Sequence, residues 1–153
     1  MTRLLMLLAS GVLTLSGCRY DEAKALRSYN KALAPVREQI DDFLLYEPRI
    51  LEGGSPEKIR DFVKDEVLVR VSQVVTALEA IDPKDPSVSA LHAKLTRLWI
   101  EYRAALSEFA EDLRDANFAR KKTIALVTLQ RIDVEWRSWL TEMADRHREI
   151  AGE

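Results

Sequence analysis

Residues 86–114 read PSVSALHAKLTRLWIEYRAALSEFAEDLR, and their spacing sets the fold class. Val88, Leu91, Leu95, Leu98, Tyr102, Ala105, Phe109 and Leu113 recur at intervals of three and four residues. A helix of 3.6 residues per turn gathers such positions into one stripe, whereas a strand would scatter them over both faces. Asp85-Pro86 ahead of the stripe is a start signal. The carboxylate can accept from the first free backbone amides, and proline suits a position whose amide is unpaired anyway.

The pattern repeats on both sides. Upstream, residues 82–87 form a turn, preceded by Ile59, Val63, Val67, Val71, Val74, Leu78 and Ile81 at helical spacing. Ser55-Pro56-Glu57 begins that segment with a cap, a first-turn proline and an acid matched to the helix dipole. Its valines (Val67, Val69, Val71, Val74, Val75) would also suit a strand, but a stripe held over six turns between capped ends predicts helix. Further upstream, Leu26, Leu33 and Ile40 fall seven apart, with Tyr29, Val36, Phe43 and Ile50 in the companion seam. Pro35 lies off both seams and predicts a kink or a local rupture of hydrogen bonding. Pro48 offers an early end to this helix and Gly53-Gly54 a definite one. Downstream, the phase jumps after Leu113, predicting a turn near residues 114–117. A fourth stripe then carries Phe118, Ala125, Leu129, Ile132, Trp136, Trp139, Met143 and Ile150.

Helices over about 21–51, 56–81, 86–114 and 118–150 joined by short connections make an all-α protein. The expected architecture is an antiparallel up-down-up-down four-helix bundle occupying residues 23–153. The second-ranked arrangement is a pair of long helical hairpins that complete their core by forming a homodimer. The chain has 153 residues, enough for one domain whose core needs no disulfide. Hydrophobic residues make up 47%, too many for a disordered chain, and the net charge of −2 supplies no polycation for nucleic acid.

Residues 1–17 follow a different logic. Arg3 is their only charge, an apolar run from Leu4 to Leu15 follows, and Leu15-Ser16-Gly17-Cys18 closes it. The order of positive end, short apolar core and small residues is that of an export signal. The apolar run is too short for a comfortable span of about 20 residues. The closing tetrad resembles the bacterial lipobox, and this resemblance covers the export segment alone. It implies a signal peptide at residues 1–17, cleaved ahead of Cys18, and fatty acyl chains (palmitate in type) on the cysteine. Residues 18–22 would then be a lipid anchor and short tether, because the helical pattern begins almost at once. The resemblance implies a lipoprotein of the cell envelope, held to a membrane outside the cytoplasm. Arg19, where enterobacterial members retained at the inner membrane carry aspartate, implies the periplasmic face of the outer membrane.

The residues speak against several chemistries. Cys18 is the only cysteine, so no thiolate set can hold zinc, iron–sulfur or covalent haem. The residues three before His92 and His147 are Ser89 and Ala144, not the glutamates of a diiron site. No His-Glu-x-x-His occurs, and neither histidine sits in a Ser/His/Asp context. Asp41-Asp42 and Glu111-Asp112 are adjacent pairs that diverge by about 100° on a helix, so they read as solvated faces. Met143 and His147, one turn apart beside Trp139, could suit Cu(I), with core packing as the plainer reading. Arg120, Lys121 and Lys122 oppose the dipole of a helix starting at 118. They form a candidate contact for an anionic surface, whether phospholipid or an acidic partner.

The expectation is therefore a non-enzymatic accessory or adaptor subunit of a membrane-proximal complex, with no cofactor, an envelope protein as partner, and no catalytic residue. A small-ligand or copper-binding bundle is the alternative, and an enzyme ranks last. Changing Cys18→Ser should abolish metabolic labelling of the protein by fatty acid and leave it released or unprocessed. Equal labelling of the variant would end the lipoprotein reading.

Overall fold

The computed structural model describes residues 10–46, 54–111 and 115–151, and among these every regular element is helical. Helix α1 spans Ser10–Tyr46. Helix α2 (Pro56–Phe62), a π-helical turn (Val63–Val67) and α3 (Leu68–Glu79) follow one another without interruption. Helix α4 spans Pro86–Glu111 and α5 spans Asp115–Ala151. The expected ends at Pro48, Gly53 and Leu51, and the seam residues Ile50 and Leu113, lie outside the described residues.

The start signals act as their chemistry requires. Ser55 is extended, and its hydroxyl accepts from the Lys58 amide at 3.4 Å. Gly54 before it has φ +125°, a conformation that side chains with a Cβ rarely adopt. Asp85 Oδ1 accepts from the Ser87 and Val88 amides at 3.0 and 3.2 Å, and Pro86 opens α4. Pro35 stands inside α1 on an exposed face, where water can solvate the Lys31 carbonyl that it leaves without an amide partner.

Three expectations need correction. The first helix begins at Ser10, not 21, so the backbone at residues 18–22 is helical. The fourth begins at Asp115, not 118, so residues 115–117 of the expected turn are helical, and residue 114 lies outside the described residues. Arg120, Lys121 and Lys122 thus leave the first turn, which eases their conflict with the dipole. The second segment is not a uniform α-helix. Ile59, Val63, Val67 and Val71 are each four apart, and on an α-helix every such step drifts by about 40°. Three steps would carry Val71 about 120° off the stripe. The π turn widens the coil by one residue and returns the phase by about 100°, so all four stay in the core.

The seams fill one continuous core. α1 packs against α3 and α5, and α4 packs against the same two, so each of these four helices has two main neighbours. Leu26, Leu33, Ile40, Val63, Val71, Leu78, Leu95 and Ile132 are fully enclosed. α4 buries a wider face than its stripe alone, adding His92, Trp99, Leu106 and Ala110, while Ala105 is only half-buried. Aromatic rings bind the layers: Phe43, Trp99 and Tyr102 meet edge to face, and Trp136 stacks on Trp139 at 5.4 Å.

The π turn gives the fold a direct test. Deleting exposed Asp65 changes the steps between Ile59, Val63, Val67 and Val71 to four, three and four, which a regular α-helix keeps on one face. The variant should form a regular α-helix with all four still in the core and an unfolding midpoint near that of the native protein. A loss of about 2–3 kcal/mol, the burial of one large aliphatic side chain, would show that the π turn does not absorb an extra residue.

Candidate functional site

Polar groups from α1, α3, α4 and α5 collect in one region of the bundle. The deepest is His92 on α4. Its Nε2 lies 3.0 Å from the carbonyl of Leu78, which can only accept, so Nε2 carries the proton. Nδ1 is then the acceptor for the Tyr29 hydroxyl at 3.1 Å. Thr96 Oγ1 lies 3.3 Å from Nε2 while donating to the His92 carbonyl at 3.0 Å. Both ring nitrogens are engaged, and α1, α3 and α4 are joined through one imidazole.

Leu78 explains the need for this contact. Its carbonyl is one of the last in α3, where no following turn supplies an α-helical amide. It accepts from the Ile81 amide at 3.0 Å and from His92, which answers a polar group that α3 carries into the core. Burial holds the His92 imidazole below its ordinary range, against the pull of the Leu78 carbonyl toward the charged form. Burial also pushes the Tyr29 phenol up. The pair is therefore neutral at physiological pH. On the other side of Tyr29, Trp139 meets it edge to face, and the Trp139 indole donates to the Leu91 carbonyl at 2.9 Å.

A second network lies nearer the surface. Arg146 on α5 bonds Glu22 on α1 and, at 3.1 Å, Glu149. Ser87 Oγ is 2.6 Å from Asp85 Oδ1 and 3.3 Å from Glu22, so its single proton goes to Asp85. That bond, ahead of the backbone amides, holds the Asp85 carboxyl below its usual range. These groups border an open groove of about 860 Å³ between α4 and α5, where Lys94 and Glu142 pair at 2.8 Å. A smaller hollow of about 330 Å³ between α1 and the 80–85 connection is reached by Tyr29, Ser28 and Lys84.

The residues singled out in the sequence are dispersed. Cys18 lies in the first part of α1. Met143 is core, 5% exposed, whereas His147 is half-buried and its Nε2 meets the Asn30 amide. Among the described residues no group of three or more His, Cys, Asp or Glu side chains could hold a metal. Arg120 is exposed, Lys122 is half-buried, and Lys121 donates to the Glu108 carbonyl at 3.3 Å, so consecutive positions point three ways. Trp99, Trp136 and Trp139 are all buried, and the Trp136 indole reaches Asp41 at 3.0 Å. Trp99 Nε1 and the Tyr102 hydroxyl are buried without a partner among the described residues. The pairing of His92 with Tyr29 is absent from the sequence pattern. Its only trace there is His92 beside Leu91 on the third stripe and Tyr29 within the first.

No helix among the described residues is long and apolar enough to cross a membrane. Comparison with family models, curated proteins and solved structures finds no match to the chain.

The His92 node makes stability depend on pH. Its imidazole binds a proton less readily folded than unfolded, so the unfolded chain takes up more protons in the window below its ordinary value of 6.5. The contribution is complete above pH 6.5 and declines as pH falls toward the depressed folded value. Denaturant unfolding at pH 7.5, 6.5 and 5.5 should show the native protein losing stability faster than His92→Gln, which lacks the titrating ring. Parallel curves would remove His92 as the cause.

Proposed function

We propose that this chain is a lipid-anchored helical bundle of the cell envelope and serves as a non-enzymatic accessory or adaptor subunit in a membrane-proximal complex. The observation that carries this reading is Leu15-Ser16-Gly17-Cys18 behind a short apolar run with one leading base. In this reading residues 1–17 are removed, α1 starts at the acylated Cys18, and the bundle stands directly on the bilayer.

The up-down-up-down, antiparallel arrangement belongs to the same proposal. Contacts between α1 and α5 support it. Asn30 meets His147 and Asp41 meets Trp136, so the numbering falls along one helix as it rises along the other. Leu91 with Trp139, Glu101 with Arg131, and Glu108 with Lys121 give α4 and α5 the same opposed sense. The short 80–85 connection agrees with antiparallel α3 and α4. The Cys18 end of α1 then lies with the His92 node and the Glu22–Arg146 network, and the start of α5 lies at the far end.

The role follows from placement. With no extended tether, the bundle reaches no more than about 60 Å from the bilayer at 1.5 Å per helical residue. A subunit so held can serve a membrane-embedded or membrane-adjacent complex. Inserting a flexible linker of about 40 residues after Arg19, upstream of the buried seam residue Leu26, should dilute the domain at its partner. Crosslinking in the native envelope should then recover the partner at reduced yield while lipidation and helix content stay normal. Full yield with the insertion, or with a soluble form exported without Cys18, would show that the short connection to the membrane is incidental.

A further inference from the structure

The inner seam of α5 runs Ala125, Leu129, Ile132, Trp136, Trp139 and Met143, all buried. Its outer side carries a second seam with the same alternation of four and three: Arg120, Ile124, Val127, Arg131 and Val134. Ile124, Val127 and Val134 are 51%, 58% and 65% exposed. A single exposed aliphatic residue is ordinary, but three on one regular seam form a ridge. Flanking threonines make it more apolar. Thr123 and Thr128 donate to the carbonyls of Ala119 and Ile124 at 2.9 and 2.8 Å, so their hydroxyls are satisfied within α5.

Charge on this ridge is of one sign. The charged positions on the ridge are both arginine, and from residue 116 to residue 132 α5 holds Arg120, Lys121, Lys122 and Arg131 and no acid, while Asp133 and Glu135 flank Val134 at its lower end. The two arginines lie on the ridge itself. Arg131 bonds Glu101 at 3.0 Å and Glu135 at 3.4 Å on the side toward α4, and Arg120 stands exposed.

We propose that this outer seam of α5 docks a helix of another envelope protein, one presenting its own apolar 3–4 seam flanked by carboxylates opposite Arg120 and Arg131. The inference rests on the lipid-anchored adaptor reading, which disfavours the other occupants. A second copy anchored in the same membrane would align parallel and set Arg120 against Arg120 and Arg131 against Arg131. An antiparallel copy would place the two Cys18 anchors at opposite ends. The membrane holding Cys18 lies roughly 40–50 Å from the Val127–Val134 ridge, taking 1.5 Å per residue along the bundle from the pairings of Asn30 with His147 and Asp41 with Trp136. A helix with an acidic-apolar seam satisfies both the ridge and its charges by the geometry that joins helices in coiled coils.

The experiment uses the full chain in the envelope of the cell that makes it. A photo-crosslinking amino acid is placed singly at Ile124, Val127, Val134, Gln130, Leu45 and Val69, and adducts are mapped by mass spectrometry. The expected adduct forms at 124, 127 and 134 but not at 45 or 69, and maps to a helical segment with an acidic, apolar 3–4 pattern. Val127→Glu, or Arg120→Glu, should lower the adduct at 134 by about tenfold with the melting temperature unchanged, as for a buried contact at the centre of an interface. Adducts to phospholipid, adducts to this chain itself, equal yields at 45 and 69, or no adduct on the seam would each overturn the proposal. The anchoring reading fails separately: if a soluble form with Cys18→Ser keeps the same adduct, the seam stands and the anchor does not. Fatty-acid labelling at Cys18 without any seam adduct would keep the anchor and overturn the seam.

Discussion

Each long helix here must keep one apolar seam turned toward a shared axis over its whole packed length, and the other features follow from that demand. A seam with alternating steps of three and four keeps pace with a helix of 3.6 residues per turn only approximately. In α1 and along the inner side of α5 the alternation is regular, and α-helix suffices. Residues 59–71 instead step by four three times running, and the π turn supplies the missing rotation. The irregularity thus serves core continuity, with a spacing legible in the primary structure as its cause.

A seam so continuous forces polar groups into the core with it. Leu78 brings a helix-terminal carbonyl inward, and His92 meets it. Tyr29 fills a seam position in α1, and its hydroxyl finds the remaining nitrogen of the same ring. Trp136 and Trp139 carry indole donors that reach Asp41 and the Leu91 carbonyl. In each case the apolar body of the residue suits the seam and its polar edge is used to join a second helix. These contacts distinguish one alignment of the helices from another, because sliding a helix by one turn would leave several buried donors unmet. Trp99 and Tyr102 pack against Phe43, and among the described residues their polar atoms meet no partner.

The two sides of α5 differ in what covers them. Inside, the tryptophans and Ile132 give a wide, enclosed contact. Outside, smaller β-branched residues sit at the same periodicity between arginines, a composition suited to a contact that forms with another chain and is soluble without it. The basic triplet at residues 120–122 resolves into separate parts once placed on a helix. Only Arg120 belongs to the outer seam, while Lys121 reaches toward Glu108 on α4 and Lys122 is half-buried.

The helical class, the four seams with most of their members, and the helix starts at Ser55-Pro56 and Asp85-Pro86 were legible in the amino-acid order. These depend on neighbours within a turn or two, and local spacing encodes them. The Leu15-Ser16-Gly17-Cys18 motif, on which the functional reading depends, is equally local. The place of the connection into α5 was not legible, since no glycine or proline marks it and both sides favour helix. Packing alone brings His92 to Tyr29 and Leu78, sets Glu22 on Arg146, and turns Met143 into the core while His147 meets Asn30. Such pairs join residues far apart in the chain, and their meeting depends on the order, direction and phase of whole helices. No short-range pattern records those quantities, because they arise only when four separate seams must share one interior.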